Sequence, residues 1–251
     1  MTEENGAERK QEPEYVVRFS LTQRIEHIVL MITFVVLAVT GLAQRYSGAG
    51  WGEWVILHLG GIGYTRFVHR AFGVLFTLSV LYHFSYLALA LVRRRLRPSM
   101  VPTLKDFRDV VGSLRYSFGL AERPPRFGRF DYRQKFEYWG MIFGGLVIIV
   151  SGYVLMYPLV VTRVLPGEVV AAARAFHGFE ATLAALTIVV WHLYDVVFKP
   201  GIFPGDVSIF TGRISRRRQI EEHPLERPEL APEETSAASA PHARSLAGEP
   251  D

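Results

Sequence analysis

Five histidines lie within apolar stretches of this sequence, where ionisable side chains are costly and therefore indicate a function. They are His27, His69, His83, His177 and His192. His69 and His83 are 14 residues apart, and His177 and His192 are 15 residues apart. An α-helix turns 100° per residue, so the two histidines lie within about 40° of each other around the helix in the first pair and about 60° in the second. Along the helix axis they are about 21–22 Å apart. The spacing thus predicts two depths of histidine on roughly one face of each helix.

Histidines paired at two depths predict two bis-imidazole metal sites stacked across a membrane, as a transmembrane electron path requires. A b-type haem suits such a site, because its iron takes two axial imidazoles and needs no cysteine. The chain has no Cys, which excludes disulfides, cysteine-bound zinc, iron–sulfur clusters, thiolate-ligated haem and covalently attached haem. The sequence also lacks the H-E-x-x-H motif of zinc hydrolases and the dense histidine boxes of diiron hydroxylases. Polar contacts between helices would explain one histidine more readily than five.

Four apolar, nearly charge-free stretches must position these histidines. They run at about 25–43, 67–92, 138–161 and 175–198, and each is long enough to cross a bilayer core, for which about 20 residues suffice. We therefore predict an all-α integral membrane four-helix bundle with a haem-binding core. The bundle domain would span 25–198, between an N-terminal segment 1–24 and a C-terminal extension with a disordered tail, 199–251. The first span is expected to be an uncleaved signal anchor.

The basic residues predict the orientation of the bundle. The segment 93–135 carries 12 Lys and Arg residues, whereas 46–66 and 162–174 together carry three. The positive-inside rule then places 93–135 and both termini in the cytoplasm, for a multi-pass protein of the bacterial inner membrane. The pI near 9.4 is explained by this clustering beside the spans, so no nucleic-acid partner is expected.

This topology leaves one histidine too many. His69 and His177 would lie toward the outer surface, and His27, His83 and His192 toward the inner one. Depth does not choose the partner of His192, because His27 and His83 both differ from it by about 5 Å along the helix axes. Either could complete the inner site.

Two segments outside the spans also have predicted structure. Residues 103–118 carry apolar side chains at helical spacing and predict an amphipathic helix on the cytoplasmic face, with Thr103 and Asp106 at its start. Residues 51–64, with two Trp, indicate a non-cytoplasmic interfacial segment. The tail from about residue 221 is rich in Glu, Pro, Ala and Ser, which predicts disorder.

The order of several short motifs resembles the cytochrome b (gamma) subunit of respiratory formate dehydrogenase and the related cytochrome b of nickel–iron hydrogenase. The resemblance runs over about 18–223. The motifs are Arg24-x-x-His27 with Thr40-Gly41, His69 with Gly73, Phe127-Gly-Arg-Phe130 leading to Trp139, Ser151-Gly152, His177, His192-Leu-Tyr, and the extension 199–214.

The resemblance implies two b haems and a quinone site near the inner haem. His69 and His177 would hold the outer haem, and His27 and His192 the inner one. The quinone region of the family maps onto 131–134, where Gln134 matches and Asp131 departs from the usual Asn.

His83 is a further departure from this family. Histidines at 14- and 15-residue spacing on two helices instead resemble the cytochrome b of quinol–cytochrome c oxidoreductases, in which His83 would pair with His192. The Arg24-x-x-His27 motif favours His27, leaving His83 as a hydrogen-bonding neighbour of the inner haem or its quinone.

The predicted function is electron transfer between the quinone pool and a redox partner on the outer side of a respiratory complex. Other subunits of the complex would supply the catalytic domain, and this chain would contact membrane lipid, quinone and those subunits. The alternatives are a free-standing b-type cytochrome that shuttles electrons and, in a different class, a histidine-lined proton or metal transporter. The transporter would bind no chromophore.

Overall fold

The computed structural model describes residues 15–93 and 98–226. Four helices in it are long and apolar enough to cross a membrane. They are α1 (Leu21–Arg45), α3 (Ile62–Val92), α5 (Tyr132–Met156) and α7 (Glu168–Leu186), which continues in π-helical turns at Thr187–His192 and Tyr194–Phe198. The predicted all-α membrane bundle is confirmed.

The four long helices begin four to seven residues before the predicted spans. Polar caps account for this difference in α1 and α5. Ser20 and Gln23 form a reciprocal capping box at the start of α1, and Asp131 and Gln134 form one at the start of α5. A capped first turn is polar, so a search for apolar residues does not include it.

Large apolar side chains cover the outside of the bundle. Leu81, Val150 and Val190 are each more than half exposed, which suits contact with lipid. Inside, α1 packs along α3, and α5 packs along α7. Thr33 and Thr40 of α1 are fully buried, and such small residues let membrane helices approach closely.

Shorter elements complete the fold. They are helices α2 (Gly50–His58), α4 (Leu104–Ser117), α6 (Pro158–Val161), α8 (Ser208–Thr211) and α9 (Arg216–Glu222), with strands β1 (Tyr15–Val17) and β2 (Arg213–Ser215). The α4 helix confirms the helix predicted for 103–118, including a capping box between Thr103 and Asp106, whereas its place on the cytoplasmic face stays a prediction. The α2 helix lies within the predicted interfacial segment.

Three distant segments join at one end of the bundle, and we call them the terminal cap: 15–18, 127–130 and 199–226. Strands β1 and β2 pair antiparallel, with Val16 opposite Ile214. The side chain of Arg18 is 4% exposed and donates hydrogen bonds to the Glu226 carboxylate at 3.0 Å and the Arg129 carbonyl at 2.6 Å. The two ends of the bundle sequence are therefore tied to the loop that precedes α5.

Residues 221–226 are ordered, contrary to the predicted start of the disordered tail. His223 Nδ1 donates to the Gly128 carbonyl at 2.8 Å, and the Leu225 amide donates to the Phe127 carbonyl at 3.0 Å. These contacts come from a segment almost 100 residues away, so local composition could not reveal them. The remaining tail, 227–251, and residues 1–14 lie outside the described residues.

Protonation of His223 should open the terminal cap. Burial and the nearby Arg18 guanidinium lower the pKa of His223 below 6.5, although the Gly128 carbonyl and two carboxylates partly offset them. The unfolded cap therefore binds more protons, and the stability present above about pH 6.5 is lost as pH falls. Between pH 7 and pH 5, we expect less hydrogen-exchange protection at the β1 and Arg18 amides, after correction for intrinsic exchange.

His223→Gln is the matched control for this prediction, because its amide retains a donor but does not titrate. We expect its protection to depend less on pH over the same range. The same pH dependence in both proteins would contradict the role assigned to His223.

Candidate functional site

Four of the five membrane-depth histidines face one another in two pairs. We call His69 and His177 the outer pair, after the predicted orientation, and His27 and His192 the inner pair. The ring centres of the outer pair are 6.2 Å apart with planes at 79°, and those of the inner pair are 6.3 Å apart with planes at 33°. Each pair spans from the α1–α3 side of the bundle to the fourth span.

The outer pair is oriented by neutral acceptors. The Nδ1 atom of His69 lies 2.9 Å from the Thr40 hydroxyl, which itself donates to the Val36 carbonyl. The Nδ1 atom of His177 lies 3.1 Å from both the Ser151 hydroxyl and the Ile148 carbonyl. These bonds favour the neutral tautomer with the proton on Nδ1, which leaves Nε2 as a metal ligand.

Two glycines let the outer rings lie close to the helices. A Cβ atom at Gly41 would come within 2.9 Å of His69 Cε1, and one at Gly152 within 3.2 Å of His177 Cε1. Both glycines follow directly after the residue that holds the ring, Thr40 or Ser151. In each of the Thr-Gly and Ser-Gly motifs, the hydroxyl therefore binds the imidazole ring and the glycine provides the space that the ring needs.

The inner pair has a charged acceptor. The Nδ1 atom of His192 lies 3.2 Å from Oε2 of Glu137, on α5. The Nδ1 atom of His27 is buried and has no hydrogen-bond partner among the described residues. The inner pair is therefore held from one side only.

His83 faces neither pair. Its Nδ1 atom lies 2.9 Å from Glu26 Oε2, and its Nε2 atom lies 3.1 Å from the Tyr138 hydroxyl. Both ring nitrogens are thus engaged by protein atoms. The structure brings His27, and not His83, opposite His192.

The π-helical turns carry His192 and change its direction. A continuous α-helix turns 100° per residue between His177 and His192. Bonds from i to i+5 widen the turn, so each residue of 187–192 advances by less than that. His192 therefore points in a different direction from the one that a continuous α-helix would give it. Such turns have no sequence signature in this chain, so the sequence could not predict them.

Asp131 and Gln134, the predicted quinone contacts, cap α5. Each side chain accepts a hydrogen bond from the backbone amide of the other, at 2.9 and 3.1 Å. Asp131 is buried and also accepts from Arg133 at 2.7 Å. Arg133 in turn lies 3.7 Å from Asp195 near the end of the fourth span. Both carboxylate oxygens of Asp131 and Oε1 of Gln134 therefore have hydrogen-bond partners in the first turn of the helix.

Sequence reasoning missed several residues that surround the rings. Glu26 lies within α1 and Glu137 within α5. An ionisable side chain in an apolar helix is costly, so both could have been identified in the same way as the histidines. Arg45 was also missed: its guanidinium lies 5.0 Å from the centre of the Phe179 ring and packs against Gly178. Its place beside the helix that carries His177 follows only from packing.

The geometry of the pairs fits an iron bound by two imidazoles. Nitrogen–metal bonds of about 2 Å on both sides would put the ring centres about 6 Å apart, close to the 6.2 and 6.3 Å in the structure. Among the described residues, no three His, Cys, Asp or Glu side chains cluster as metal ligands. Each pair therefore offers two ligands, which matches the axial positions of a haem.

Facing imidazoles between membrane-spanning helices fit the architecture of a membrane cytochrome b. The profile of the prokaryotic cytochrome b561 family matches residues 18–210, and the chain belongs to this family. The family carries b-type haem, and its members transfer electrons. The predicted family and the electron-transfer function are thus confirmed, and neither the shuttle nor the transporter alternative is favoured.

Curated relatives are subunits of formate dehydrogenases. The cytochrome b556(fdo) subunit of Escherichia coli K12 is 24% identical over 187 residues, which cover 74% of this chain and 81% of the relative. The nitrate-inducible cytochrome b556(Fdn) subunits of Escherichia coli K12 and Shigella flexneri are 21% identical over 209 residues, covering 83% of this chain and 88% of each relative.

The close approach at Gly41 generates a prediction. We expect Gly41→Ala to push His69 from its place and so lower the haem content of the purified protein, measured as pyridine haemochrome per chain. Gly63→Ala in α3 is the control, because a Cβ atom there meets nothing within 4 Å. Equal haem content in the two variants would contradict the tight fit of His69 against α1.

Proposed function

We propose that this chain is the membrane subunit that transfers electrons between the quinone pool and an outer-side partner of a respiratory complex. It holds two b haems, with His69 and His177 as axial ligands of the outer one and His27 and His192 as those of the inner one. The observation that carries the proposal is the pair of imidazole separations near 6 Å at two depths of one bundle.

The spacing of the two pairs supports a path across the membrane. His177 and His192 are 15 residues apart along the fourth span, which would be about 22 Å in a continuous α-helix and is shorter here because the wider π-helical turns at 187–192 rise less per residue. A b haem, when bound, supplies an iron that holds one electron at a time. The chain's own residues orient the ligands: Thr40, Ser151 and Glu137 hold the Nδ1 atoms, so that Nε2 of each ring remains to bind a metal.

The relatives support a partner of dehydrogenase type. They are named as cytochrome subunits of formate dehydrogenases, and this chain aligns with most of their length. We propose that further subunits dock at the outer end of the bundle, near α2 and the outer pair, and exchange electrons with the outer haem. Quinone then exchanges electrons at the inner end.

Charge supports the orientation in the bacterial inner membrane. The terminal cap brings residues 15–18, 127–130 and 199–226 to one end of the bundle. The described part of the basic loop, 98–135, joins the cap at the same end through 127–130, so the positive-inside rule assigns this end to the cytoplasm. Both termini are then cytoplasmic.

Haem content tests the ligand assignment. We expect two haems per chain by pyridine haemochrome, both extracted by acid acetone because no cysteine can form thioether links. His27→Ala should lose the inner haem, whereas His83→Ala should keep two. If His83→Ala loses a haem and His27→Ala keeps both, the inner site is built as in the quinol–cytochrome c oxidoreductases.

Reporter fusions test the orientation. We expect a fusion after Pro125 or at the C-terminus to behave as cytoplasmic, and fusions after Gly50 or Pro166 to behave as periplasmic, because the basic residues lie between spans two and three. Alkaline phosphatase activity, which requires export, distinguishes the two. Activity at Pro125 and none at Gly50 would invert the haem order and the quinone side.

A further inference from the structure

Resting on the proposed function, we infer that His83 and Tyr138 form the hydrogen-bonding part of a quinone site beside the inner pair, with Glu26 positioning His83. These three residues, which we call the inner trio, come from three different spans. Glu26 lies on α1, His83 on α3 and Tyr138 on α5, and the two hydrogen bonds between them are 2.9 and 3.1 Å long. The trio thus joins three of the four spans through side-chain hydrogen bonds.

Two members of the trio are adjacent in sequence to residues of the inner site. Glu26 directly precedes His27, and Tyr138 directly follows Glu137, whose carboxylate accepts from His192. Two members of the trio are therefore one residue along the chain from His27 and from the carboxylate that holds His192. That proximity is what electron exchange with the inner haem requires.

The trio is only partly covered by protein. The side chain of His83 is 29% exposed and that of Glu26 19%, at a depth where uncovered polar groups are costly. Glu26 Oε1 is buried without a hydrogen-bond partner among the described residues. A polar group on an otherwise apolar, membrane-soluble molecule would satisfy such a site, and a quinone headgroup has this chemistry.

The hydrogen bonds suit both redox forms of such a headgroup. In neutral His83, Nδ1–H donates to Glu26, so Nε2 accepts from the Tyr138 hydroxyl. The Tyr138 O–H can rotate toward a quinone carbonyl, and the Nε2 atom that it releases can accept from a quinol hydroxyl. Glu26 keeps the ring in the orientation that both contacts need.

Aromatic rings provide a surface for a flat headgroup. The His83 ring centre is 5.9 Å from that of Phe84 and 6.0 Å from that of Tyr138, with planes at 69° and 66°. Phe84 is about half exposed, so the site opens at the surface of the bundle. By contrast, Asp131 Oδ1 and Gln134 Oε1 accept the backbone hydrogen bonds that cap α5.

Binding of a quinol analogue to the purified full-length protein tests the site. The probe is an alkyl hydroxyquinoline N-oxide, whose fluorescence is quenched when it binds near haem. We expect Tyr138→Phe and His83→Gln each to weaken its binding about tenfold, the loss of about one hydrogen bond, with haem content and reduced spectrum unchanged. Tyr82→Phe, the same change one residue from His83, should bind as the unmodified protein does.

Three outcomes would overturn the inference. Unchanged affinity in both variants places the quinone elsewhere, and weaker binding in Gln134→Ala alone assigns it to the start of α5. In either case the proposed electron-transfer function stands, because the unmodified protein still binds the probe. If the unmodified protein carries two haems but does not bind the probe, both this site and the quinone part of the proposed function fail.

Discussion

An imidazole at membrane depth is costly unless its ring nitrogens are bound, and the bundle supplies partners for most of them. Thr40, Ser151 and Glu137 bind the Nδ1 atoms of three histidines, which leaves Nε2 of each as the nitrogen that can bind a metal. Rings held in this way face each other across that space at a separation suited to a shared metal. The glycines beside two of these holding residues follow from the same requirement, since a side chain there would collide with the ring.

The outer and inner pairs differ in the acceptors that hold them. Hydroxyl and carbonyl oxygens hold the outer rings, whereas a carboxylate, Glu137, holds His192. A carboxylate acceptor makes an imidazole ligand more basic than a neutral acceptor does. The inner end of the bundle also holds Glu26, so two carboxyl groups lie at the inner end and none of the contacts that hold the outer rings involves one. The two sites are thus electrostatically distinct although their ring separations are nearly equal.

The terminal cap contributes to the inner end through the start of α5. Arg18 binds the Arg129 carbonyl, and Asp131 caps the helix two residues later. The helix then carries Glu137 and Tyr138 one and a half to two turns beyond its first residue. The N-terminal strand and the C-terminal extension therefore help to hold the residues that contact His192 and His83, although they are far from them in sequence.

The sequence by itself determined the four spans, the two depths of histidine and the amphipathic α4, because apolar length, residue spacing and capping are local properties. It also determined the family, through the order of short motifs around the histidines. Only the tertiary structure decided which inner histidine faces His192. His27 and His83 are equally close to it in depth, and the direction of a side chain around a helix depends on how neighbouring spans pack. The tertiary structure also decided three further features: the π-helical turns at His192, the capping role of Asp131 and the contacts of His83. Each depends on how segments are arranged in space, which local sequence does not specify.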